Sequence, residues 1–75
     1  MEIPITFEDN GTLYSGHFSQ VSGSGSTATF HLIINKHFYG QLILTESYGW
    51  QFYNNKDLFK EKGPEFGAYI EAWYQ

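Results

Sequence analysis

The sequence predicts an α+β fold, a five-stranded antiparallel β-meander with one C-terminal α-helix packed across one face of the sheet. Three observations carry this expectation. Up to Asn55 the chain alternates apolar and polar side chains in short runs separated by turn residues. Two hairpins, each laid out from its own turn, place their large apolar residues on one common face. After Pro64 the period of two gives way to the spacing of an aromatic helix.

In the first strand, Ile3, Ile5 and Phe7 alternate with Glu2, Pro4, Thr6 and Glu8. Pro4 has no N–H to donate to a ladder, which assigns this strand to an edge. Asn10-Gly11 suits a two-residue type I′ turn, because both residues tolerate positive φ. That turn sets Phe7 opposite Tyr14, Ile5 opposite Gly16 and Ile3 opposite Phe18. A second hairpin turns within Ser22-Gly23-Ser24-Gly25-Ser26. Centred on Ser24, it sets Phe18 opposite Phe30, Gly16 opposite Leu32 and Tyr14 opposite Ile34. Gly16 leaves space for a bulge or for close approach of the helix.

Residues 38–45 and 50–54 read as strands four and five, with turns near Lys36-His37-Phe38 and Ser47-Tyr48-Gly49. Continued parity turns Leu42, Leu44, Trp50 and Phe52 inward. A slip of one residue would bury Tyr39, Ile43 and Tyr53 instead. Lys56 to Lys62 reads as a short turn of helix ended by Gly63-Pro64, and Pro64 suits the first position of the next helix. At 100° per residue, Phe66, Tyr69, Ile70, Trp73 and Tyr74 span an arc of about 140°, a core-facing stripe that leaves Glu65, Ala68 and Glu71 outside.

The 75 residues form a single domain, 1–75. There is no cysteine, which removes disulfides and thiolate metal sites. Aromatic residues, 20% of the chain, supply buried area in their place. Eight acidic residues against four lysines give a net charge of −4 with no arginine. Phosphate backbones and anionic membranes both require clustered positive charge, so neither nucleic acid nor a membrane is an expected partner. Met1 leads directly into strand-like residues without a basic or apolar leader, and the expectation is a complete cytoplasmic protein.

Candidate chemistry is sparse. In the second hairpin as laid out, His17 falls opposite His31 on the outer face. Directly opposed Cβ atoms lie about 5 Å apart, so two imidazoles could share a metal. No third ligand accompanies them, and two solvated histidines are expected. Ser15 and Ser19 share that face with His17, yet a mid-strand serine lacks the sharp turn and oxyanion hole of a nucleophile. Gly23 and Gly25 precede a strand, not the helix N-terminus that a phosphate loop needs. Glu8, Asp9, Glu61, Glu65 and Glu71 do not converge, and Lys56, Lys60 and Lys62 offset neighbouring acids. No cofactor is expected.

What folding explains least is apolar material on the outer face. Leu13, Val21, Ile33, Tyr39, Ile43 and Tyr53 fall there, and with His31 opposite Ile43 and Ile43 opposite Tyr53 they form a stripe. A wet sheet face is normally polar, so the stripe points to burial against another surface. The leading expectation is a non-enzymatic protein–protein interaction module, through a protein partner or self-association, with Leu13, Ile33, Tyr39, Ile43 and Tyr53 as its surface. The alternative is a small-ligand-binding domain whose pocket, between helix and sheet, is lined by Trp50, Tyr69 and Trp73, with room left by Gly16 and Gly67. An enzyme ranks third, with His17 and His31 as its only metal-binding foothold.

Overall fold

The computed structural model describes residues 2–75, with the backbone alone at Ser26; Met1 and what was read from it lie outside the described residues. The fold is α+β. Strands β1 (Glu2–Asp9), β2 (Thr12–Ser22), β3 (Thr29–Ile34), β4 (His37–Thr45) and β5 (Gly49–Tyr53) pair in the order β1-β2-β3-β4-β5, all antiparallel. The sheet curls, and helix α1 (Gly63–Trp73) packs across its inner side. Single 3-10 turns lie at Gly25–Thr27 and Lys60–Lys62.

The first hairpin has the register its turn dictates: Phe7 faces Tyr14, Ile5 faces Gly16 and Ile3 faces Phe18. The second hairpin differs by two residues. Phe18 pairs with Leu32 and Gln20 with Phe30, while His17 pairs with Ile33 and not with His31. The cause is local. The Gly25–Thr27 turn moves the loop's centre past Ser24, and a register shift between Gln20 and Ser22 takes up the extra residue, Val21. Because the shift is an even number of residues, every side chain keeps its face.

The β3–β4 turn is tighter than expected. Asn35 and Lys36, with φ of 53° and 68°, form its two-residue loop, so β4 begins at His37. A bulge follows. Ile33 pairs with Phe38 and Leu32 with Gly40, leaving Tyr39 as the extra residue. Tyr39 thereby turns inward, its ring 6.1 Å from that of Phe59 at an interplanar angle of 20°. Phe38 occupies the outer face in its place. Beyond the bulge the expected parity holds, with Leu42, Trp50 and Phe52 buried, although Leu44 near the sheet's end is partly exposed.

Residues 56–59, expected to start a helical turn, form an irregular loop held by one side chain. Asn54 Oδ1 accepts from the backbone N–H groups of Lys56 and Leu58, each at 2.9 Å. This loop delivers Phe59 to the core. Its ring meets those of Phe7 at 5.0 Å and Tyr14 at 4.9 Å, both edge-to-face, and its backbone adopts φ 57° to do so. Deeper in the core, Phe66 meets Phe7, Phe18 and Phe52 at 4.9, 5.3 and 5.3 Å.

The helix is rotated relative to the stripe read from its sequence. Gly63, Phe66, Gly67 and Ile70 are buried, whereas Tyr69 and Trp73 lie on an exposed flank. A β-carbon on Gly67 would sit 2.0 Å from the Trp50 ring, and one on Gly63 would sit 2.8 Å from the Trp50 carbonyl oxygen. The two glycines, one helical turn apart, let α1 lie directly on β5.

Two stability predictions follow from this packing. Gly67→Ala forces Trp50 aside and is expected to cost about 1–3 kcal/mol in urea unfolding, with a red shift in tryptophan emission. Lys36→Gly relieves a left-handed backbone and is expected to raise the urea stability by about 1 kcal/mol.

Candidate functional site

Alternation gives the sheet two chemically distinct surfaces. The inner surface, with α1, forms one cluster of buried side chains that contains no buried polar or charged residue among the described residues. On the outer surface, β1 presents Glu2 and Glu8, and β2 presents Leu13, Ser15, His17 and Ser19. The outer-face positions of β3, β4 and β5 are Thr29, His31, Ile33, Phe38, Gln41, Ile43, Thr45, Gly49, Gln51 and Tyr53. They include no Asp, Glu, Lys or Arg.

The apolar residues on this half are not the stripe expected from sequence. Ile33 pairs with Phe38, Tyr53 with Gln41, and Ile43 with Gln51. His31 pairs with Ser19 and Gln41 rather than with Ile43, and its ring stands edge-to-face with Phe38 at 4.8 Å. Phe38 is 58% exposed and Tyr53 51%, while Ile33 and Ile43 are half-buried. Leu13 is exposed but lies beside the first turn, paired with Glu8 and away from the others. Val21 belongs to the β2 irregularity. Tyr39, expected here, packs against the core.

Phe38 is the outer-face residue that the sequence reading missed. A signal was present: Gly40 follows two aromatic residues inside a strand. A β-carbon there would meet Phe52 Cζ at 2.4 Å. A glycine inside a strand often marks a bulge, and a bulge at Tyr39 exchanges the faces of residues 38 and 39.

The histidines do not form a joint site. His17 lies 3.6 Å from the Glu2 carboxylate, and His31 faces Ser19. Among the described residues, no three His, Asp or Glu side chains converge as metal ligands would. Ser15 Oγ is 3.5 Å from Thr6 Oγ1, in mid-strand. The carboxylates are dispersed among separate partners, with Glu65 at 3.3 Å from Lys62 Nζ and Glu71 accepting from the Trp50 indole N–H at 2.9 Å.

Trp50, Tyr69 and Trp73 do not frame a common pocket. Trp50 is buried against Gly67, so the room expected at that glycine is filled by its ring. Gly16 is likewise occupied, because a β-carbon there would meet the Ile33 carbonyl oxygen at 2.2 Å. The Tyr69 hydroxyl donates to the Pro4 carbonyl oxygen on β1, and Trp73 is 45% exposed on the same helix flank. A separate open cleft of about 370 Å³ lies where β4 begins, between Phe38, Tyr39 and the loop at Asn54, Lys56 and Leu58. The Asn54 side-chain oxygen on its wall is already engaged by backbone N–H groups.

Comparison with protein-family models, with curated proteins and with solved structures found no match for this chain. No helix among the described residues is long and apolar enough to cross a membrane.

The Trp50–Glu71 bond provides a check on this arrangement. Glu71→Ala is expected to cost about 1–2 kcal/mol and to change the Trp50 emission, whereas Glu71→Gln, which retains an acceptor oxygen, should recover most of both. Urea unfolding followed by fluorescence reads the two variants together.

Proposed function

We propose that this chain is a small non-enzymatic protein–protein interaction module that makes its contacts through the outer face of β3, β4 and β5. The observation that carries this reading is the exposure of Phe38 and Tyr53 on a half-sheet without fixed charge. Contact surfaces are depleted of charged residues at their centre and enriched in aromatic ones. Glutamine amides and a tyrosine hydroxyl around those rings offer hydrogen bonds that keep such a surface compatible with water until it is covered.

The alternative route to association, strand addition at a sheet edge, is obstructed on both sides. On β1, Pro4 lacks an N–H and its carbonyl is taken by Tyr69. On β5, Gly63 presses against the backbone of Trp50 and Gln51. That leaves the face as the route to a partner. A chain without cysteine needs no oxidising compartment to fold, and we propose that it works in the cytoplasm. Ligand binding between helix and sheet is the weaker reading, because Trp50 fills that space.

The test uses Ile43→Glu and Tyr53→Glu, each of which puts a carboxylate on the outer face without touching the core. Both variants are expected to keep a melting temperature within a few degrees of the parent and to lose association. Light scattering on a sizing column reads self-association, and pull-down from native extract reads a foreign partner. If both variants assemble and capture partners as the parent does, the outer face is not the contact surface.

A further inference from the structure

The tip of the first hairpin carries a chemistry of its own, separate from the outer-face reading. We propose that Asn10-Gly11 is a site of spontaneous covalent modification, where Asn10 closes onto the Gly11 nitrogen and is converted by water to aspartate and isoaspartate, and that Glu8 holds the folded tip against this reaction.

Water is the one co-reactant. The Gly11 backbone nitrogen attacks Asn10 Cγ and bonds to it. The nitrogen gives up its proton, the Cγ–Nδ2 bond breaks, and ammonia leaves. The product is a five-membered cyclic imide with two carbonyls, and water opens it at either one. Opening between the nitrogen and Cγ leaves aspartate in an ordinary chain. Opening at the original peptide bond leaves isoaspartate, with the chain running through the side chain. An amide and one water become an acid and ammonia, with no change of oxidation state.

The site is set up for attack. Asn10 and Gly11 are both exposed, and nothing lies within 4 Å of the place a Gly11 β-carbon would take. Glycine places no side chain beside the attacking nitrogen. Among the described residues the Asn10 amide has no hydrogen-bond partner, so Cγ is free to turn. Of the asparagines in the chain, Asn10 alone precedes a glycine, while Asn35, Asn54 and Asn55 precede Lys36, Asn55 and Lys56.

The folded tip opposes ring closure in two ways. Asp9 pairs with Thr12, so Asn10 and Gly11, with φ of 51° and 81°, form a type I′ turn. In that turn ψ of the first residue is also positive, which points the Gly11 nitrogen away from the Asn10 side chain. A five-membered ring needs that nitrogen nearly eclipsed with Cβ. The tip must therefore open before Asn10 reacts. Glu8 is the second restraint. Its carboxylate accepts from the Gly11 N–H, the group that has to lose its proton. A carboxylate is far too weak a base to take that proton. It holds the N–H in place, and its charge opposes the anion that attack requires.

The two products differ in consequence. Aspartate keeps the turn, because Asp-Gly suits the same geometry. Isoaspartate adds a methylene to the backbone of a two-residue loop whose length sets β1 on β2. Ile3, Ile5 and Phe7 reach the core in that register. A chain converted by this route cannot rebuild its first hairpin as before, so the site records the time the tip has spent open.

The test is incubation of the intact chain at neutral pH, with conversion at each asparagine followed by peptide mass spectrometry. Asn10 is expected to convert ahead of Asn35, Asn54 and Asn55, and faster in unfolding urea than in buffer. Glu8→Ala should speed conversion in buffer by about 3- to 10-fold and leave the rate in urea nearly unchanged. Glu8→Gln, which retains an acceptor oxygen, should stay closer to the parent than Glu8→Ala does. Circular dichroism confirms that the variants are folded. An Asn10 that outlasts the other asparagines in urea overturns the site. Equal rates in buffer and urea overturn the protection by folding, and a folded Glu8→Ala that converts at the parent rate overturns the role of Glu8. The comparison of buffer with urea uses the parent chain alone, so it decides even if Glu8→Ala does not fold.

Discussion

At Gly67 a hydrogen atom stands where any other residue would drive a β-carbon to 2.0 Å from the Trp50 ring, and that missing carbon sets the distance between helix and sheet. The rest of the core is spaced by it. With α1 at this depth, Phe66 reaches three rings from β1, β2 and β5. Glu71 comes within 2.9 Å of the Trp50 indole, and the Tyr69 hydroxyl reaches β1 on the opposite edge. A helix held further out would lose those contacts together, since they share one rigid element.

The aromatic core has a consequence for the loop that precedes the helix. Phe59 fills the end of the curled sheet beside Phe7, Tyr14 and Tyr39, although its backbone is left-handed. A non-glycine residue in that region costs of order 1–2 kcal/mol. Burial of a whole phenylalanine side chain yields about 1.5–3 kcal/mol, and ring–ring geometry adds to it. Packing therefore outweighs local preference at Phe59, with Asn54 holding the loop in the shape that allows it.

The fold class, all five strands and the inward set on β1 to β3 are legible in the sequence, because Asn10-Gly11 specifies its turn and period two specifies the faces. The Gly/Ser loop contains no such instruction. Several glycines and serines accept several turn shapes, so its centre, and with it the neighbour of His17, is decided by the strands it joins. The bulge at Tyr39 is harder still, since it exchanges an outward Phe38 for an inward Tyr39 without changing composition. Hydrophobicity marks Phe66 and Ile70 of α1 for the core, where they lie, but it also marks Tyr69 and Trp73, whose places close packing gives to Gly63 and Gly67.

The guards on the two sheet edges, Tyr69 on β1 and Gly63 on β5, come from one short stretch that the ribosome makes after all five strands. Until that stretch arrives, the sheet presents open hydrogen-bonding rims on both sides, and open rims template pairing between chains. A nascent or prematurely terminated chain that stops before Gly63 is thus a candidate for polymerisation, with both rims available for growth. Arrival of the helix removes both growth points in one step, so the segment that completes the core also protects both rims from pairing.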